Sequence, residues 1–117
     1  MVARTVLLTR IAQTTMNVDT LKTRNSDSLD FYDVAIWSIR SAVVYAYIQG
    51  YKHAISTLPD KDLELIDNYI CKHTAFDTVE THNSDSLDFK NIPIWDIEKV
   101  LYYGYDLGNR RSKEKQK

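Results

Sequence analysis

NSDSLDF, residues 25–31, returns letter for letter as residues 83–89. The two copies lie 58 residues apart in a chain of 117. Extending the comparison at that offset lays DTLKTRNSDSLDFYDVAIWSIRSAVVYAYIQG (19–50) over DTVETHNSDSLDFKNIPIWDIEKVLYYGYDLG (77–108), with 16 identical letters in 32 positions. Upstream the letters differ but the apolar positions persist. Leu7, Leu8, Ile11 and Ala12 lie over Leu65, Ile66, Tyr69 and Ile70, and Val18 lies over Phe76. The chain reads as a tandem duplication with its joint near Ser56–Pro59. A solenoid needs three or more repeats. A unit of about 58 residues is near the lower limit for independent stability. Two units are therefore expected to share one core as a pseudo-twofold pair. The fold class expected is α+β, with unit 1 over 1–58, unit 2 over 59–109 and a basic, disordered tail over 110–117.

Each unit reads as helix, short strand, turn, short strand, helix. The first helix is clearest in unit 2, where Thr57, Pro59 and Asp60 mark its start and Leu65, Ile66, Tyr69 and Ile70 share one face. Asp60, Asp62 and Glu64 favour the positive end of its dipole. TLKTR and TVETH are short and rich in β-branched residues. NSDS is turn chemistry and LDF alternates apolar and polar, so a hairpin is expected within each unit. The closing helices are expected to start near Val34 and Ile92, with Asp33 and Asn91 as N-caps and Pro93 in the first turn. Gly50 and Gly108 suit the position just past a helix end. Ile36, Trp37, Ile39, Val43, Val44 and Tyr47 are too apolar for a one-sided surface helix, so Trp37 and Trp95 are expected in the core. Ala46 and Gly104 are the small aligned residues where the closing helices could approach closely.

Hydrophobic content of 44% suffices for a core, and 26% charged residues is ordinary for a soluble protein. No apolar run approaches the length of a membrane span. The N-terminal stretch, interrupted by Arg4 and Arg10, does not read as a signal peptide. Cys71 is the single cysteine, which excludes an intramolecular disulfide. A cytoplasmic location is expected. The net charge of −1 hides an asymmetry. RRSKEKQK (110–117) holds five basic side chains and one acid, whereas the remainder holds ten basic and fifteen acidic side chains.

Chemistry is sparse. Asp27, Asp30 and Asp33 recur as Asp85, Asp88 and Asn91, but a calcium loop also wants a glycine at its turn and a late glutamate. His53, His73 and His82 lack zinc spacing, and Cys71 aligns with Gln13, a tolerated variation rather than a nucleophile. Three glycines make no phosphate loop. No catalytic residue, metal or cofactor is expected. Binding is the better reading. Its candidate residues are the repeated acids Asp27, Asp30, Asp85 and Asp88, and the tyrosines Tyr45, Tyr51, Tyr102 and Tyr103, a residue type enriched at contact hot spots. The basic tail adds Arg110, Arg111, Lys113, Lys115 and Lys117, a candidate phosphate-touching arm.

The stretch TLKTRNSDSLDFYDVAIWSIRSAVVYAY resembles a small, uncharacterised domain common in bacterial phages, plasmids and conjugative elements. Thr23, Asn25 to Phe31, Val34, Trp37, Ile39, Tyr47 and Gly50 fit its pattern. In the second copy Thr81, Asn83 to Phe89, Ile92, Trp95, Ile97, Tyr105 and Gly108 do so. Pro93 and the tyrosine-rich helix ends depart from it. The resemblance implies a mobile-element origin and no transferable activity. The function expected is that of a non-enzymatic phage or mobile-element protein that binds a host protein, such as an inhibitor of a CRISPR effector. The acidic body favours a partner with a basic, nucleic-acid-binding surface. The alternative is a DNA- or RNA-binding regulator using the basic tail. A homodimer is also compatible with the duplication; a membrane partner is not expected.

Overall fold

The computed structural model describes residues 4–16, 18, 20–21, 31–51, 55, 57–74, 76 and 88–115. Four helices and a two-stranded antiparallel sheet make up the described fold. In chain order these are α1 (Arg4–Met16), β1 (Phe31–Ala35), α2 (Ile36–Gly50), α3 (Asp60–His73), β2 (Phe89–Pro93) and α4 (Ile94–Lys115). Each unit thus contributes a helix, a strand and a second helix. The hairpin expected within each unit, from TLKTR to LDF (20–31) and from TVETH to LDF (78–89), lies largely outside the described residues, of which Phe31 and Phe89 are in strands. No helix among them is long and apolar enough to cross a membrane.

The apolar stripes read from the sequence do face the core. Leu8, Ile11 and Ala12 of α1 are buried, as are Ile66 and Ile70 of α3, with Leu7, Leu65 and Tyr69 packed at the margin. Val18 and its counterpart Phe76 are buried too. Along α2, Ile36, Ile39, Val43 and Tyr47 are buried at helical spacing.

The strands correct the expected helix starts. Asp33 and Asn91 are not N-caps; they face each other at the centre of the β1–β2 ladder. Proline disfavours helical backbone in the residue before it, which holds Ile92 extended. Each strand then runs straight into its helix. Ala35 takes the N-cap position in extended conformation without a side-chain cap bond. The ladder pairs Phe31 with Pro93 and Ala35 with Phe89. Phe31 and Phe89 are counterparts at offset 58, as are Ala35 and Pro93, so each of these pairs is the other with the copies exchanged. A single unit supplies one strand of this ribbon, and the other copy of the same segment supplies its partner.

The helix ends are corrected as well. Gly50 is the last residue of α2 and Gly108 lies inside α4, which continues to Lys115. Their role is close approach. A Cβ on Gly50 would stand 2.2 Å from the Tyr105 carbonyl oxygen, and one on Gly108 2.1 Å from that of Tyr47. On Gly104 it would stand 2.5 Å from the Val43 carbonyl oxygen, while Ala46 is fully buried. The backbones of α2 and α4 therefore touch where no side chain fits between them.

Arg110 to Lys115, expected in a disordered tail, form the last turns of α4. Ser112 there is buried, and Arg111 is bonded to Asp62.

Candidate binding surface

Alternation along the ribbon gives it two faces. Val34 and Ile92 are buried and Tyr32 packs against the core. The opposite face carries Phe31, Asp33, Phe89 and Asn91, with the Asp33–Asn91 pair exposed at its centre. The tryptophans complete this outer face. Trp37 and Trp95 are not in the core: they are 47% and 49% exposed. The neighbouring isoleucines, Ile36 and Ile94, take the core positions, and the next residue on a helix turns about 100° away. Trp37 meets Phe89 edge-on with ring centroids 5.2 Å apart, and Trp95 meets Phe31 likewise at 5.4 Å. Each pair joins one unit to the other, and each is the counterpart of the other at offset 58. The outcome is a polar centre flanked by two half-exposed aromatic pairs. Exposed apolar side chains mark contact sites when they cluster rather than when they stand alone, and tryptophan is prominent among hot-spot residues.

The residues singled out from the sequence are distributed differently. Asp27, Asp30 and Asp85 lie outside the described residues. Asp88 is only 2% exposed, so it cannot present its charge to a partner. The tyrosines divide among three grooves rather than forming one patch. Tyr45 is exposed beside Leu7, Arg10 and Thr14. Tyr102 and Tyr103 line a groove of about 460 Å³ with Tyr69, Lys99, Asp106 and Arg110, and the Tyr69 and Tyr103 rings stack at 3.9 Å. Tyr51 stacks on Tyr47 at 6.1 Å beside Asp62 and Arg111.

Of the basic residues, Arg110 and Lys113 are exposed. Lys115 closes α4, and Lys117 lies outside the described residues. Arg111 is committed to the fold. Its guanidinium donates to the Asp62 carboxylate through Nη2 at 3.0 Å and Nε at 3.1 Å, and also reaches Glu114 at 3.2 Å. The Tyr47 hydroxyl donates to the same carboxylate at 2.6 Å. Burial pushes the Asp62 carboxyl up, but the Arg111 and Tyr47 hydrogen bonds and the Arg111 charge outweigh it and hold it below its ordinary value. Burial, then the bond to Asp62, raises the Tyr47 phenol out of the working range. This network joins α2, α3 and α4. Arg40 adds a second link by donating from Nε to Asp67 at 2.7 Å, from α2 to α3.

Among the described residues no group of His, Cys, Asp and Glu is arranged to hold a metal. Cys71 is half-buried, and the His73 ring packs against Tyr69 at 4.2 Å. The outer aromatic face was missed from the sequence because adjacent Ile and Trp give helical periodicity no way to choose which one enters the core.

The model of one protein family, described as a family of unknown function (DUF6900), matches residues 3–54 and again 59–115. No curated protein and no solved structure matches the chain.

Proposed function

We propose that this chain, which belongs to the DUF6900 family of unknown function and carries its unit twice, is a non-enzymatic binding protein that works through the aromatic outer face of its ribbon. The observation that carries this reading is the pair of half-exposed tryptophans, each held edge-on by a phenylalanine of the other unit. Rigid, partly desolvated aromatics lose little conformational freedom on contact, which is how such residues dominate interface energies. In the narrower form of the proposal the chain comes from a phage or other mobile element and occupies a host protein, such as a CRISPR effector. The resemblance of its repeated motif to domains of mobile elements supports that form.

The test is affinity capture from a bacterial lysate with the parent and with Trp37→Ser/Trp95→Ser. A protein retained by the parent should be lost from the double variant. Each substitution should cost less in stability than truncating a fully buried aromatic, which costs about 3–5 kcal/mol, because each indole is half exposed. Equal retention by both proteins would sink the aromatic face as the contact surface.

A second reading, nucleic-acid binding, draws on the groove in which Tyr102 and Tyr103 lie beside Lys99 and Arg110. Asp106 lines the same groove and counts against it. Fluorescence anisotropy with single-stranded and duplex oligonucleotides separates the two readings. Micromolar binding lost in Lys99→Gln/Arg110→Gln would favour the second.

The proposal includes the relation between the units: a pseudo-twofold pair whose axis passes between Asp33 and Asn91. The ladder register, the exchanged Trp–Phe contacts and the reciprocal approaches of Gly50 and Gly108 support it. Residues 1–57 alone should then dimerise, or fail to fold, since about 58 residues bury too little surface by themselves. A folded monomer of 1–57 by sedimentation and NMR would overturn the shared-core pairing.

A further inference from the structure

Beside Trp37, the end of α1 and the ribbon enclose a cleft of about 410 Å³ whose lining includes Thr14, Thr15, Asp33, Trp37, Ser38 and Phe89. Beside the Trp37 indole N–H and the Ser38 hydroxyl, its lining holds three side chains that accept, Thr14, Thr15 and Asp33. The Thr14 hydroxyl already donates to the Arg10 carbonyl at 2.8 Å, and the Thr15 hydroxyl to that of Ile11 at 2.6 Å. A hydroxyl has one proton. With it committed, each threonine oxygen offers only lone pairs to anything entering the cleft. The Asp33 carboxylate adds two acceptor oxygens, and no lysine, arginine or histidine is among the described lining residues. Arg10, one helical turn before Thr14, lines the adjacent groove instead. Trp37, 47% exposed, supplies an aromatic surface to the same space.

A planar cation with several donors is the complement of such a lining. We infer that the cleft takes an arginine side chain from the partner protein, its guanidinium against Trp37 and donating to the Asp33 carboxylate and the two threonine oxygens. Lysine offers a compact ammonium that cannot lie flat on the indole while reaching acceptors on two sides. The site is one-sided. At offset 58 the positions of Thr14, Thr15 and Asp33 are held by Lys72, His73 and Asn91, which put a cation where the first copy has hydroxyls and an amide where it has the carboxylate. The inference rests on the binding-protein reading and names the chemistry the partner brings.

The experiment uses the full chain, labelled with nitrogen-15, and four capped pentapeptides with Gly at positions 1, 3 and 5. Positions 2 and 4 are arginine, lysine, citrulline or norleucine. The arginine peptide should shift the Trp37 indole N–H resonance saturably, with smaller effects from lysine and none from citrulline, the uncharged isostere. Asp33→Asn should weaken the arginine peptide about tenfold, as loss of a charge-assisted hydrogen bond implies. This variant is safe for the fold, because Asn91 already occupies the facing position in the ladder. Equal shifts from lysine or citrulline, an unmoved Trp37 resonance, or undiminished binding to Asp33→Asn would each overturn the inference. If the arginine peptide fails while a captured protein is still lost from Trp37→Ser/Trp95→Ser, the arginine site falls and the aromatic face stands. If that capture is also unaffected, both fall.

Discussion

Gly108→Ala should destabilise the protein by about 3 kcal/mol or more, at the upper end of overpacking costs. The sign is informative, because replacing an ordinary helix-interior glycine with alanine gains about 0.5–1 kcal/mol. At Gly108 the new methyl would stand 2.1 Å from the Tyr47 carbonyl oxygen and 2.9 Å from its carbon. Those are backbone atoms of α2, so no rotamer change relieves the clash. The helices must separate, and the packing of Val43, Tyr47, Leu101 and Leu107 separates with them. Gly50→Ala should act in the same direction, with its methyl 2.2 Å from the Tyr105 carbonyl oxygen. Both changes force the same movement, so their effects in the double variant should sum to less than the two singles. Urea denaturation measures all three. A Gly108→Ala protein as stable as the parent would show that α2 and α4 do not cross there.

Arg111→Met should cost about 2–3 kcal/mol. Removing one partner of a buried ion pair costs about 3–5 kcal/mol, and the 27% exposure of Arg111 lowers that figure through solvent screening. The loss should depend on pH in a defined direction. The Asp62 carboxyl is held below its ordinary value in the folded protein. Its contribution is therefore fully present above the unfolded carboxylate value, near 4, and is lost as pH falls through the lower folded value. In the variant, burial is no longer offset by the guanidinium, and the folded carboxyl rises. The gap between parent and variant should be widest at neutral pH and should narrow as pH falls from the variant's raised folded value toward the parent's lowered one. A gap that widens with acid would mean that Asp62 is not the partner that matters. The same network bears on how the nucleic-acid reading is tested. Deleting 110–117 would remove Arg111 and the buried Ser112, so lost binding would report a damaged fold. Neutralising exposed Arg110 and Lys113 is the cleaner change.

The stripes of α1 and α3 were legible in the sequence because one face of each meets the core at helical spacing, as at Ile66 and Ile70. The duplication was legible too, and with it the positions of Gly50, Gly104 and Gly108. For Gly50 and Gly108 the reason was misread: local rules associate glycine with a helix end, while close packing of two helices leaves no local mark. LDF, ending at Phe31 and Phe89, reads as strand, but DVA and NIP after it read as the start of a helix because Asp and Asn are good caps. Their strand pairing depends on a segment 58 residues away, which short-range patterns cannot report. Trp37 and Ile36 are both apolar and adjacent, so composition alone could not say which one faces solvent. Asp62 and Arg111 look like ordinary solvated charges at the two ends of unit 2, and only the packing of α3 against α4 brings them together. The acceptor-rich cleft was equally hidden, since Thr14 and Asp33 are far apart in the sequence and meet only through the fold.

The self-pairing of the ribbon has a consequence for how such a chain can change. Had the two strands belonged to separate, identical molecules, their pairing would have depended on concentration, and every substitution would have appeared on both sides. Joining the copies in one chain replaces an encounter between molecules with a local one, at an effective concentration of about millimolar for short linkers. It also frees each copy to vary alone. Asp33 differs from its counterpart Asn91, Arg40 from Glu98, and Thr14 and Thr15, which line the cleft beside Trp37, from Lys72 and His73. A fused duplicate can thus keep its two strands paired while the chemistry of its two ends diverges.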